Sequence, residues 1–335
     1  MNPIKNFIFS AGQNPWLRSV QLAAIGVVLT TAAPASALIF NFTYSTDAAY
    51  NAAGLTAQDI TDMKAAMTYA AGQFTSAFSD PIHVNINVNA AAGVGILGQS
   101  STFLSSLTFA QLQARTIADS TTPNDATATG AGGSLAGADP VGGAHNYWVS
   151  TAESKALGLT ADNANTDGTF TFGGGYSYSF DPNNRAVAGK IDFIGVAMHE
   201  MSEVMGRIGI MGGSVAGSPA YMLMDLLHYT GLNTRGLNNG AGRFFSFDGG
   251  ATLLKAWNNQ SGLGGDLSDW ASGANDAFNA FSSSGVLNAL TPVDLQVMDT
   301  IGYNLVPTPE PSTAALGVVG LALGGLIRRN RATKK

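Results

Sequence analysis

His199-Glu200-Met201-Ser202-Glu203 brings one imidazole and two carboxylates into little more than a helical turn. Positions i and i+4 share a helix face, so His199 and Glu203 can grip one divalent ion between them. Glu200 is then placed to take a proton from a water that the ion activates. The pattern suits metal-assisted hydrolysis, with glutamate standing where the H-E-x-x-H zinc helix has its second histidine.

A catalytic zinc takes three protein ligands and keeps one position for water. The chain has no cysteine, so its donors must be His, Asp and Glu. At the metzincin spacing, six residues past Glu203, stands Gly209, which has no donor to offer. Gluzincins instead take a carboxylate from a later helix, and residues 221–229 are the place for one here, with Asp225 and His228 at i, i+3. His228 would complete a two-histidine, one-glutamate set. Asp225 would make a one-histidine, carboxylate-rich site for zinc or a harder divalent metal, or would orient His199 from behind.

Asp248, Asp266 and Asp269 lie among glycines, a setting that serves Ca2+ or, more commonly, plain Asp-Gly turns. His83 and His145 have no partner at metal spacing and are read as structural, and Trp270, Phe278 and Phe281 as core.

The elements that must position these groups read as α+β. Residues 40–45 and 82–89 alternate apolar and polar like strands, and 56–78 repeat apolar residues at helical spacing behind a Thr56 cap. Residues 108–118 suggest a short helix with Phe109, Leu112 and Ile117 inside, and 119–143 a mobile loop nearly without large apolar side chains. Short strands are expected at 169–173 and 176–180, then the metal helix at 190–206, which Gly206 can end. Strands ahead of a metal-bearing helix suit a zincin-like domain with a mixed sheet, in which an edge strand holds an extended peptide.

Both ends carry targeting patterns. Residues 1–37 have Lys5 and Arg18 as their only charges, an apolar run and an Ala35-Ser36-Ala37 cleavage site, which describe a signal peptide. Residues 307–335 hold Pro309-Glu310-Pro311, a short apolar run and an Arg-rich end, which suit a transient inner-membrane anchor. Between them, nine basic and 21 acidic residues give residues 38–306 a net charge of −12, against −6 for the whole chain. So acidic a surface argues against nucleic acid as a partner.

The C-terminal segment resembles the PEP-CTERM sorting signal of Gram-negative bacteria. That resemblance implies processing by an exosortase and delivery to the cell surface or the exopolysaccharide matrix. The motif His199-Glu200-x-x-Glu203-Val204-Met205-Gly206-Arg207, with Asp225-Leu226-x-x-Tyr229, Phe245-Ser246-x-Asp248-Gly249-Gly250 and Gly265-Asp266-x-x-Asp269-Trp270, resembles a family of exported bacterial HExxE-type metalloproteases, zincin-like. The resemblance covers most of residues 40–305. It implies a glutamate as second ligand, an aspartate matching Asp225 as third, and often an arginine where His228 stands, so it favours Asp225.

The function expected from the sequence is thus a surface-delivered, zinc-dependent endopeptidase acting on protein or peptide, with Glu200 as general base. The alternatives are a noncatalytic surface or biofilm-matrix protein with a structural metal, and a glycan hydrolase. The intact mass of the exported protein should correspond to a chain that begins near Leu38 and ends near Pro309 to Pro311; a product retaining Lys335 removes the sorting reading.

Overall fold

The computed structural model describes residues 38–306 apart from 239, 241, 259–264, 272 and 274, so the segments read as signal peptide and sorting signal lie outside the described residues. β1 (Ile39–Tyr44) leans Phe40, Phe42 and Tyr44 on the core. After α1 (Asp47–Ala53) comes α2 (Ala57–Ala77). Thr56 caps α2 through a reciprocal box with Asp59, and Ile60, Met63, Met67, Ala70 and Phe74 form its buried stripe, as the periodicity predicts.

Next come β2 (His83–Ala91), β3 (Gly98–Thr102) and β4 (Leu104–Leu107). The last two are rich in serine and carry no apolar alternation, so the sequence does not announce them. α3 (Phe109–Asp119) follows with a Thr108–Gln111 capping box; Leu112 and Thr116 are buried while Ile117 is 53% exposed, contrary to its expected place inside.

Residues 119–143 are not an unstructured loop. They contain α4 (Pro123–Thr129), capped by Thr122 and Asp125, and a tight return in which Ser134 and Leu135 are buried. Hydrogen bonds hold this segment in place of large apolar groups: Ser134 N–H donates to the Phe247 carbonyl at 3.0 Å and its hydroxyl to the Ser246 carbonyl at 2.9 Å.

β5 (Asn146–Ser150) and α5 (Thr151–Ala156) lead to β6 (Gly168–Gly173), β7 (Tyr178–Ser179), β8 (Ile191–Asp192) and α6 (Phe193–Val204). Beyond α6 lie β9 (Ser214–Val215), β10 (Ser218–Met222), a single 3-10 turn (Leu223–Leu227), β11 (His228–Gly231), β12 (Thr234–Arg235), β13 (Phe244–Phe245) and α7 (Pro292–Thr300). The stretch taken as a later helix is therefore strand, turn and strand.

The chain is α+β with several mixed sheets. One has the order β1-β2-β6-β3, parallel except for β3, which runs antiparallel at an edge. The second has the order β4-β5-β10-β9. A single extended run, 98–107, serves both and changes sheet at Phe103, whose N–H donates to the Asp167 carbonyl and whose carbonyl accepts from Thr151 N–H. α6 packs on β3, β6 and α2. Its Phe193, Ile194, Met198, Met201 and Val204 are all buried, each contributing roughly 1.5–3 kcal/mol.

Away from α6, Asp80, Asp119, Asp125 and Asp299 converge around Asn304, whose side-chain amide donates to Asp80 and Asp119. Burial raises all four, and repulsion from neighbouring carboxylates adds to it at Asp80, Asp119 and Asp299; Asp80 and Asp299 reach about 6 and Asp119 about 7. Folded-state values above the unfolded ones mean stability that is present below about pH 4 and lost as pH rises through 6–7. The melting temperature should therefore fall between pH 5 and pH 8, and Asp119→Asn should flatten that slope and raise the value at pH 8; an unchanged slope in a pH series of melts refutes the assignment.

Candidate metal centre

α6 starts where Asp192 caps it, accepting from Gly195 N–H at 3.2 Å. That carboxylate is itself fixed by a two-pronged pair with Arg185, at 2.9 and 2.7 Å, and by Asn288 N–H at 2.9 Å. The helix ends at Gly206, with φ +115°, where a Cβ would stand 2.5 Å from Glu153 Oε2. Only glycine meets both conditions. The turn it allows sends Arg207 back beneath the helix.

His199 and Glu203 face one way, as their spacing predicts, with Nε2 and Oε1 3.3 Å apart. The third group that meets them is Asp269, whose Oδ1 is also 3.3 Å from His199 Nε2. The three donor atoms all lie within 4.8 Å of one another. Tetrahedral ligands held about 2.0–2.2 Å from one ion stand roughly 3.4 Å apart, so the two measured separations suit a metal directly. His199 Nδ1 lies 2.9 Å from the Ala277 carbonyl; donating there, it leaves Nε2 for the ion. This donor set could hold a metal ion.

Asp225 is elsewhere, and the reason is its hydrogen bonding. Its carboxylate is fully buried and accepts from the N–H groups of Met222 at 2.8 Å, Met211 at 2.9 Å and Ile210 at 3.1 Å. Burial raises its pKa to about 6 against those donors. Asp225 thus ties the chain after α6 to the 3-10 turn. His228 is also fully buried, stacked on Trp257 at 4.4 Å, with burial and then Arg243 keeping it neutral. Neither joins the cluster.

No role for Ser100 or Arg207 follows from the sequence, although Arg207 closes the motif that begins at His199. Ser100 Oγ donates to Glu203 Oε2 at 2.6 Å from β3. Arg207, 1% exposed, donates to Asp269 Oδ1 at 2.8 Å and to the Ser268 carbonyl at 2.7 Å, while its other Nη lies 3.6 Å from Glu203 Oε1. Asp269 stood in view within Gly265-Asp266-x-x-Asp269-Trp270, but no spacing rule joins it to a helix some 60 residues away.

Of the remaining expectations, Asp248 forms a closed turn, its Oδ1 accepting from Ser246 Oγ and Thr252 N–H. His83 pairs with Asp162 and His145 with Asp139. Trp270 and Phe278 are buried, whereas Phe281 is 42% exposed.

Glu200 faces a cleft of about 600 Å³ bounded by β3, α6 and, beyond them, Asp266, Asp269, Asp276, Ala277 and Asn288. Its side chain crosses to Gly98, where a Cβ would meet Oε1 at 2.4 Å, so a larger residue there would push the Glu200 carboxylate and Val196 aside. Glu200 Oε2 is buried and has no hydrogen-bond partner among the described residues. Burial, and then the charge of Glu203, pushes the Glu200 pKa well up. Burial alone would also raise Glu203, but His199, Arg207 and Ser100 bring it down to about 2. For His199, burial acts downward, and the charge of Asp269 with that of Glu203 outweighs it, raising it to about 9.

Compared with known protein families, curated proteins and solved structures, the chain finds no match. The centre is therefore defined by its own geometry.

Zinc should bind one to one, with affinity climbing about tenfold per pH unit toward pH 9 as the cation takes the place of the His199 proton. His199→Ala and Asp269→Ala should each weaken it by at least about 100-fold and Arg207→Met by about 10–100-fold, while Asp225→Asn retains it. Competition titrations check this ranking, and loss of zinc in Asp225→Asn with retention in Asp269→Ala reverses the assignment.

Proposed function

We propose that the chain is a metal-dependent endopeptidase with a zincin-like site, exported and delivered to the surface or exopolysaccharide matrix of a Gram-negative bacterium after exosortase-type processing. The observation that carries this reading is Glu200 Oε2, a buried and unpartnered carboxylate oxygen in an open cleft beside a His-Glu-Asp set at metal spacing. A buried polar atom without a partner is costly, and such atoms mark sites where a ligand or reaction completes the bonding.

Zn2+ held by His199, Glu203 and Asp269 would supply a Lewis acid for the carbonyl and lower the pKa of water toward ~7. Glu200 accepts the proton of the attacking water and passes it to the leaving amine. Burial favours its protonated form, which suits handing the proton on, and the charge of a bound cation beside it would favour the ionised form that takes the proton. The bond to Ala277 fixes the His199 ring, and Arg207 and Ser100 fix the two carboxylates. β3, an edge strand that lines the cleft, offers an extended chain backbone groups with which to pair.

Glu200→Gln separates this reading from a noncatalytic matrix protein with a structural metal. The variant should keep zinc and lose at least about 100-fold in cleavage of an unfolded protein substrate. Equal turnover by parent and variant, assayed side by side with metal content measured, removes the peptidase assignment.

A further inference from the structure

Five carboxylates line the cleft, from Glu200, Glu203, Asp266, Asp269 and Asp276, and among the described residues no lysine or arginine does. Four are already committed. Glu203 and Asp269 face His199 and Arg207, and Glu200 is the proposed base. Asp276 is buried against Lys255 and also accepts from Thr291 Oγ1 at 3.0 Å.

Asp266 differs from all of these. It is exposed at the wall of the cleft, and its carboxylate makes no hydrogen bond or ion pair with any described residue. Its backbone N–H donates to Asp269 Oδ2 at 3.0 Å, which fixes it one short turn from the third ligand. It is not part of the metal cluster itself.

We propose that Asp266 is a specificity-determining residue that binds a cationic side chain, lysine or arginine, of the substrate beside the bond to be cleaved. The inference rests on the peptidase reading of the cleft and adds the substrate class. A carboxylate with no partner among the described residues, at the edge of an open cleft, attracts a cation and repels an acidic side chain, so it selects by both signs of charge. The apolar wall from Leu97, Val196 and Ile208 suits the methylene stem of a lysine or arginine, whose charged head then reaches the rim. The backbone bond to Asp269 makes the position of this carboxylate follow that of the metal ligand, so selection and chemistry stay in register.

The test uses the mature zinc-loaded protein and a set of otherwise identical, neutral unstructured peptides in which one position at a time is Lys or Glu. Cleavage is followed for kcat and KM, and binding of the same peptides is measured on the Glu200→Gln variant. The parent should prefer Lys over Glu at one position next to the scissile bond by about tenfold or more, a difference of about 1.4 kcal/mol. Asp266→Asn should bring that ratio to within about threefold, through KM and not kcat, with zinc content retained. Asp47→Asn, a charge removed at an exposed site outside the cleft lining, should leave the ratio unchanged. An unaltered ratio in Asp266→Asn overturns the proposal, as does loss of zinc, which would make Asp266 a metal ligand. Binding by Glu200→Gln that discriminates Lys from Glu, with no cleavage by the parent, keeps the subsite and removes the peptidase reading. Cleavage without discrimination does the opposite.

Discussion

The buried guanidinium of Arg207 is the contact on which the site depends. It lies under the C-terminal end of α6 with its plane over the Phe278 ring at 4.4 Å, and it donates to Ser202 Oγ at 2.8 Å as well as to Ser268 and Asp269. A charge taken out of water is tolerated only when paired and hydrogen-bonded, and here the pairing joins α6 to the segment that brings Asp269 to His199 and Glu203. Glu200, Glu203 and Asp269, when ionised, carry three negative charges against the one of Arg207. A divalent cation closes that sum to zero, so the guanidinium lets three carboxylates share a buried site without an excess of charge.

The fold supplies what this contact requires. Gly206 turns the chain so that Arg207 passes back under the helix, and Tyr303 closes over the same turn by donating to the Met205 carbonyl at 2.7 Å. Asp192, held by Arg185, fixes the other end of α6. Between these anchors the helix has one open side, and β3 lies along it because Gly98 leaves room for Glu200. The same strand delivers Ser100 to Glu203, so a single short edge strand borders the cleft and orients the Glu203 carboxylate.

Much of the arrangement could be read from local patterns. The i, i+4 spacing of His199 and Glu203, the Thr56 cap with its apolar stripe, and the alternation from Ile82 to Val88 each express a periodicity that the backbone imposes on neighbouring residues. Where hydrogen bonds and not apolar side chains organise the chain, the patterns fall silent. β3 and β4 are built largely from serine and threonine, and residues 119–143 are held by caps and backbone bonds, so neither shows a hydrophobic period. The turn at 223–227 misleads in the opposite way. A later helix is expected there from the gluzincin pattern, but β10 and β11 enter and leave it as strands, and Asp225 bonds the backbone of its surroundings.

The sequence by itself determined that His199 and Glu203 face one way with Glu200 beside them, because these share one helix and a helix has a fixed pitch. Tertiary structure alone decided the third group. Asp225 and Asp269 are both aspartates in distinctive motifs, and nothing in their local sequence tells which one faces His199. The choice was made when Asp225 filled its acceptor sites with three backbone N–H groups and Arg207 drew Asp269 to the helix. Contacts across some 60 residues of chain obey no period, and packing and charge pairing settle them.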